Sequence, residues 1–342
     1  MPEKPRGLVD MKTKKIINST DNIVAETIEG FVKAYEDRIE KLPTAQVVLR
    51  KDRKKGNVAV IIGNGAGHEP ACLGFIGENM LTANVVGGLF AAPGPDDIYE
   101  GIKACDNGAG VCLLISNHAG DVINAKMALD MAEDDEIRCK GVILYDDIAS
   151  AKKGEEQERR GTAGTLFSYK IVGAYAEEGH GLYEVAKMAE KVRDNTRTLA
   201  VATTPGYSPI TGYKMFEIAD DEIEIGMGVH GEAAAHNMKM ASAKEIAEIM
   251  CSKLIEDKPF LEGDEITVLV NGCGQTTLME LTIFYNEVEK IVSAKGISIY
   301  KPAIGSYVTT QEMGGIALAF CKLDKEMKKL WVKQTDAPWF RI

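Results

Sequence analysis

The feature that most constrains this chain is a recurring transition: a short, uniformly apolar run breaks off on glycines and polar residues, and helical spacing follows. Val58 to Ile62 ends in Gly63-Asn64-Gly65-Ala66-Gly67-His68-Glu69-Pro70, and Val111 to Ile115 runs into Ser116-Asn117-His118-Ala119-Gly120-Asp121 before apolar spacing through Met127 and Leu129. Val142 to Tyr145 closes on Asp146-Asp147, and Ile266 to Val270 gives way to Asn271-Gly272-Cys273-Gly274-Gln275-Thr276-Thr277 and a helical stretch from Leu278 to Ala294. Unbroken apolar runs of this length suit strands buried on both faces, which require helices packed over the sheet. The alternation of strand, loop and helix therefore predicts an α/β fold.

At 342 residues the chain exceeds one ordinary core. The expected architecture is two α/β domains, each a largely parallel or mixed sheet with flanking helices. The first spans residues 14–194 and the second 195–342. Residues 1–13 read as a polar lead-in. Val24, Ile28, Phe31, Val32 and Tyr35 mark a helix within 21–35, with Ser19, Thr20 and Asp21 as available caps. Further helices are expected over 165–178, 182–194 and 243–255, and further strands over 199–203, 223–225, 297–300 and 316–320.

Composition narrows the function. A net charge of −11, with no Lys/Arg cluster interleaved with aromatics, argues against nucleic acid. No apolar run approaches the roughly 20 residues of a membrane helix, so no membrane role is expected. The seven cysteines are scattered without a C-x-x-C pair, and no secretory h-region opens the chain; reduced thiols and a cytoplasmic location are the expectation. His230 and His236 do not form an H-E-x-x-H helix and Ala233 to Ala235 add no ligand, so no metal is expected.

Three polar loops then stand out as candidates for chemistry. One carries His68 and Glu69, one Asp121, and one His230 within Gly226-Met227-Gly228-Val229-His230-Gly231-Glu232. A neutral imidazole among glycines is a competent nucleophile or base that a ligand can approach closely, and it is also a common structural turn. Asp121 fits a catalytic carboxylate or a helix N-cap. The 63–70 loop lacks the glycine spacing of a dinucleotide fingerprint and the Gly-Lys-Ser/Thr of a P-loop. Loops at the carboxyl ends of strands in α/β sheets tend to share one pocket, whatever their separation in sequence.

Seven spaced motifs in order resemble the substrate-binding K subunits of dihydroxyacetone kinases: G-N-G-A-G-H-E-P (63–70), F-A-A-P (90–93), N-H-A-G-D-V (117–122), R-R-G-T-A-G-T (159–165), G-M-G-V-H-G-E (226–232), N-G-C-G-Q-T-T-L-M-E-L (271–281) and I-G-S-Y-V-T-T-Q-E-M-G-G (304–315). The resemblance covers about residues 14–339. It implies that His230 holds a short-chain ketose covalently as a hemiaminal, that Asp121 accepts the proton of the attacking hydroxyl, and that His68 hydrogen-bonds the sugar and assists. Gly65, Gly67, His68, Ser116, Asp121 and Ala92 are the implied substrate-binding positions. It further implies a glycerone kinase-like phosphotransferase active only with a partner: no cofactor on this chain, Mg and ADP or ATP on a separate helical L subunit, a phosphotransferase-system protein as a possible phosphoryl donor, and a homodimer.

The chain departs from the family pattern at pocket positions. Ala66 and Ala92 stand where serines are usual, Ser116 where a lysine is usual, His118 where an aromatic is usual, and Ala233 where a proline is usual. A kinase subunit for a larger ketose such as erythrulose, or a ketose-sensing coactivator without turnover, are the alternatives these changes leave open.

Overall fold

The computed structural model describes residues 14–228, 231–232, 236–258 and 260–341. His230 and Ala233 lie outside the described residues. The first helix, Ile23–Ala34 (α1), follows a short 3-10 turn whose cap is Ser19, its side chain accepting from Asp21 N–H. Strands Ile39–Lys41 (β1), Val47–Arg50 (β2), Ala59–Ala66 (β3), Ala83–Leu89 (β4), Val111–Ser116 (β5) and Cys139–Leu144 (β6) form a mixed sheet in the order β1-β2-β4-β3-β5-β6. The four strands β4, β3, β5 and β6 run parallel, and β1 and β2 add antiparallel at one side. Helices Pro95–Cys105 (α2), Ala119–Asp134 (α3), Thr165–Glu177 (α4) and Leu182–Asp194 (α5) flank it.

Two stretches differ from the sequence expectation. β3 carries its ladder through Gly63 to Ala66, so the first part of the expected glycine loop is strand. Helix α2 begins at Pro95, the last residue of the Gly/Pro-rich stretch Gly87-Gly88-Leu89-Phe90-Ala91-Ala92-Pro93-Gly94-Pro95, which reads as a loop by sequence; proline at the first helical position loses no hydrogen bond, because that N–H has no intrahelical partner.

The second sheet comprises Thr196–Thr204 (β7), Glu222–Ile225 (β8), His236–Lys239 (β9), Glu265–Gly272 (β10), Ser298–Ile299 (β11), Ala303–Gly305 (β12) and Gly314–Lys322 (β13). Its order is β11-β10-β13-β7-β8-β9, with β12 also paired to β10. The ladders β10/β13, β13/β7, β7/β8 and β8/β9 are antiparallel; β11 and β12 run parallel to β10. Helices Ala243–Asp257 (α6) and Leu278–Ala294 (α7) accompany this sheet, and α7 supplies the crossover from β10 that its parallel neighbours require. Both sheets are therefore mixed.

The C-terminal helix Lys325–Trp331 (α8) packs on α4, and the chain beyond it returns to the first sheet's side of the molecule. One apolar cluster joins Val60 and Leu114 of the first sheet, Phe167 of α4, Ala317 and Ala319 of β13, and Trp331 and Phe340. Trp331 meets Phe167 edge-on at 5.3 Å between centroids and donates from Nε1 to Lys301 O at 2.9 Å, so its apolar body and its polar N–H are both accommodated. Helix α4 is buried from Thr165 to Ala174, which fixes the R-R-G-T-A-G-T segment before it between the two sheets. Among the described residues no helix is long and apolar enough to cross a membrane.

Candidate active site

The carboxyl ends of β3 and β5 supply one wall of a small cleft, since both strands stop where their apolar runs stop. Asn64, Gly65 and His68 reach it from the β3 end, Ser116, His118 and Asp121 from the β5 end, Gly161, Thr162 and Thr165 from the segment leading into α4, and Val308 from the second sheet's side. Four of the six expected substrate-binding positions, Gly65, His68, Ser116 and Asp121, thus face one cavity. The structure does not bring the other two to it. Gly67 adopts φ +105°, donates its N–H to the Glu69 carboxylate at 3.1 Å and accepts from Gln311 Nε2 at 3.0 Å, so it is a turn residue beside the cleft. Ala92 packs toward Gly120 in the first turn of α3. Ala66 is not in the cleft lining either: the β3/β4 register shifts between Asn64 and Ala66, and Ala66 packs in the apolar cluster of Ile28, Val48, Leu73 and Val86.

His68 is buried, and its ring is fixed from across the molecule. Nδ1 lies 2.7 Å from Thr309 O. A carbonyl only accepts, so Nδ1 carries the proton, and in the neutral ring Nε2 is left as the nitrogen with a lone pair. The 304–315 motif that provides Thr309 is in turn held by Asn271, whose Oδ1 accepts from Tyr307 N–H and Val308 N–H, both at 2.9 Å, while its Nδ2 donates to Val308 O at 2.7 Å. Thr309 Oγ1 also donates to Glu69 O. Burial raises the Glu69 carboxyl above its ordinary range, against the N–H of Gly67.

Asp121 sits in the first turn of α3, where the helix dipole favours a carboxylate. It is not the N-cap; His118 holds that position with extended backbone. Ser116 Oγ donates to Gly161 O at 3.1 Å and lies 3.4 Å from His118 Nδ1. Glu232, two residues beyond His230 in sequence, approaches His118 Nε2 to 3.8 Å. Arg160 reaches both flanks of the same loop, donating from Nη2 to Gly226 O at 3.3 Å and approaching Glu232 to 3.8 Å, while Asp147 holds its guanidinium at 2.6 Å. A Cβ at Gly228 would fall 2.1 Å from Glu232 Oε2 and 2.3 Å from Arg160 Nη1, so both charged side chains close over that glycine of the 226–232 motif.

The R-R-G-T-A-G-T segment is shaped by the buried Asp146. Its carboxylate accepts from Thr162 Oγ1 and Gly164 N–H, each at 2.9 Å, and a Cβ at Gly164 would fall 2.7 Å from Asp146 Oδ2. Sequence reasoning did not single out Asn64, Thr162 or Thr165. The one available signal was Asn64 itself, an amide set among the glycines at a strand's carboxyl end. Among the described residues no group of three His, Cys, Asp or Glu side chains is arranged to hold a metal.

The Dak1 domain model matches residues 29–339. The chain belongs to the Dak1 family. It is 41% identical to a PTS-dependent dihydroxyacetone kinase 1, dihydroxyacetone-binding subunit, of Listeria innocua, over 95% of this chain and 98% of that one. It is 34% identical to an L-erythrulose kinase of Pectobacterium atrosepticum, over 95% of this chain and 56% of the longer relative. Among solved structures, a dihydroxyacetone kinase operon co-activator superposes with a TM-score of 0.87 at 30% identity, over 92% of this chain and 98% of that one. Within a Dak1 chain, the cleft at the ends of β3 and β5 offers an imidazole with one lone-pair nitrogen, a carboxylate and an amide at short range. That set can accept hydroxyl protons and orient a small polyhydroxylated molecule.

Proposed function

We propose that this chain is the ketose-binding subunit of a dihydroxyacetone-type kinase, in which His230 holds the ketose as a hemiaminal for phosphoryl transfer. In that step an imidazole nitrogen of His230 bonds to the carbonyl carbon and the C=O π bond breaks. The proton released by the imidazole goes to the carbonyl oxygen, so the addition balances without a further reactant. A polyol such as glycerol has no carbonyl and cannot be held this way. Asp121 then accepts the proton of the hydroxyl that attacks phosphorus, and His68, its Nε2 turned to a ligand hydroxyl, positions the sugar. Nucleotide and magnesium come from a helical partner subunit, with a phosphotransferase-system protein as the donor behind it. We further propose a homodimer with its domains divided near residue 194.

The observation that carries the reading is the convergence of His68, Ser116 and Asp121 on one cleft in a Dak1-family chain matching a dihydroxyacetone-binding subunit along nearly its whole length. Crystals soaked in dihydroxyacetone test it. Continuous density between a His230 ring nitrogen and the ketose C2, absent in His230→Ala, is the expected result. An empty cleft in the wild type sinks the proposal.

The likeness to a co-activator favours a second reading, ketose sensing without turnover. Mixing the chain with a nucleotide-bearing L subunit, magnesium and ketose separates the two: phosphorylated ketose forms only if the chain is a kinase subunit.

A further inference from the structure

Most polar groups lining the cleft are satisfied by the protein itself. Thr162 Oγ1 donates to Asp146, Thr165 Oγ1 donates to Thr162 O at 2.7 Å and meets Tyr169 Oη, and Ser116 Oγ donates to Gly161 O. Asn64 differs. Its Nδ2 donates to Gly65 O at 3.0 Å, which fixes the orientation of the amide, and its Oδ1 is buried without a hydrogen-bond partner. A buried amide oxygen left without a donor costs about 1–3 kcal/mol, so native proteins keep such atoms only where water or a ligand answers them.

The register shows where this acceptor stands. The β3/β5 ladder pairs Gly63 with Ile115, and Asn64 and Ser116 are the next residues along the two parallel strands. Neighbouring positions of adjacent strands project to the same face, so the amide and the hydroxyl lie side by side on the cleft wall. Asp121 enters from a different element, the first turn of α3.

We propose that Asn64 is a specificity-determining residue whose Oδ1 accepts a hydroxyl on the side of the ketose carbonyl opposite the hydroxyl taken by Asp121. This rests on the ketose-binding reading above. It selects ketones hydroxylated on both sides of the carbonyl over those hydroxylated on one. Discrimination of this kind is strong because the wrong ligand leaves a buried polar group unanswered.

The test compares dihydroxyacetone with hydroxyacetone, which keeps the carbonyl and one hydroxyl, by calorimetry on the full chain. The wild type is expected to prefer dihydroxyacetone by about tenfold, the worth of one hydrogen bond. In Asn64→Ala that preference falls to about twofold or less, because dihydroxyacetone affinity drops while hydroxyacetone affinity holds. Asn64→Asp, which keeps an acceptor oxygen, retains the preference and guards against a merely misfolded alanine variant. An unchanged preference in Asn64→Ala overturns the assignment, as does a folded Asn64→Ala that binds neither ketose, since Asn64 would then shape the cleft rather than read a hydroxyl. Failure of the wild type to bind either ketose is distinguishable from both, and overturns the ketose reading on which the subsite stands.

Discussion

Two of the buried polar clusters among the described residues are built on opposite terms. In the first, Arg159, only 1% exposed, pairs through both terminal nitrogens with Asp257, and its Nε donates to Ala151 O; Arg197 completes the cluster from β7. Burial pushes the Asp257 carboxyl up, but the two guanidiniums outweigh it and hold the carboxyl below its ordinary range. The second cluster is the cleft, where the Asn64 amide oxygen has no hydrogen-bond partner and the His68 Nδ1 is held by Thr309 O. Both sets are buried and polar, so burial alone identifies neither as functional. What separates them is whether the protein answers its own groups: the answered cluster ties elements together, and the unanswered one is shaped for something else.

The comparison breaks if removing a group from either cluster produces the other's phenotype. Asp121→Asn should leave the thermal midpoint unchanged and ketose binding intact while phosphoryl transfer with a competent partner falls by about 10²–10⁴-fold, the range for loss of a positioned base. Full turnover in that variant would remove Asp121 from the mechanism. Arg159→Ala should do the reverse, costing about 3–5 kcal/mol of stability in denaturant unfolding, because Asp257 loses its bidentate partner while still half-enclosed. A loss within about 0.5 kcal/mol would show that Arg197 alone suffices for Asp257.

The fold was legible where apolar runs were unbroken or caps were explicit. α7 begins at Leu278 because Thr277 and Glu280 form a reciprocal cap, and both residues are visible in the sequence. β9 was not legible: His236–Lys239 is an edge strand in which Met238 alone is apolar and partly buried, too little to show an alternation. The choice between a largely parallel and a mixed sheet, which the sequence left open, was not legible either. Apolar content reports burial of a strand and says nothing of its direction, and β7 to β8 is joined without a helix. In the site, chemistry-bearing residue types pointed to His68 and Asp121, whereas Asn64 became visible only once its oxygen was seen buried and unanswered. Ala66 shows the converse limit. A motif places it beside the ligand, but the β3/β4 ladder shifts register just before it and Ala66 packs with Leu73 and Val86 in the core.

Asp146 belongs to the answered class yet sits at the border of the cleft, and its titration sharpens the comparison further. Full burial raises its carboxyl, against the hydrogen bonds from Thr162 and with Asp147 adding to the rise, to about 6 from an ordinary value of 3.8. For an acid whose folded pKa lies above its unfolded one, the folded state binds the extra proton between the two values, so stability falls as pH rises through that window. The penalty is absent below about pH 4 and complete above about pH 6, and the difference corresponds to about 3 kcal/mol. Asp146→Asn keeps a neutral group of the same shape and cannot pay that penalty. Its stability relative to wild type, measured by denaturant unfolding at steps from pH 4 to 7, should therefore climb through the window. Parallel curves would mean that the carboxyl stays ionised throughout. A fall instead of a climb would mean that the Thr162 and Gly164 donors outweigh burial, and that this cluster, like Asp257, stabilises its charge outright.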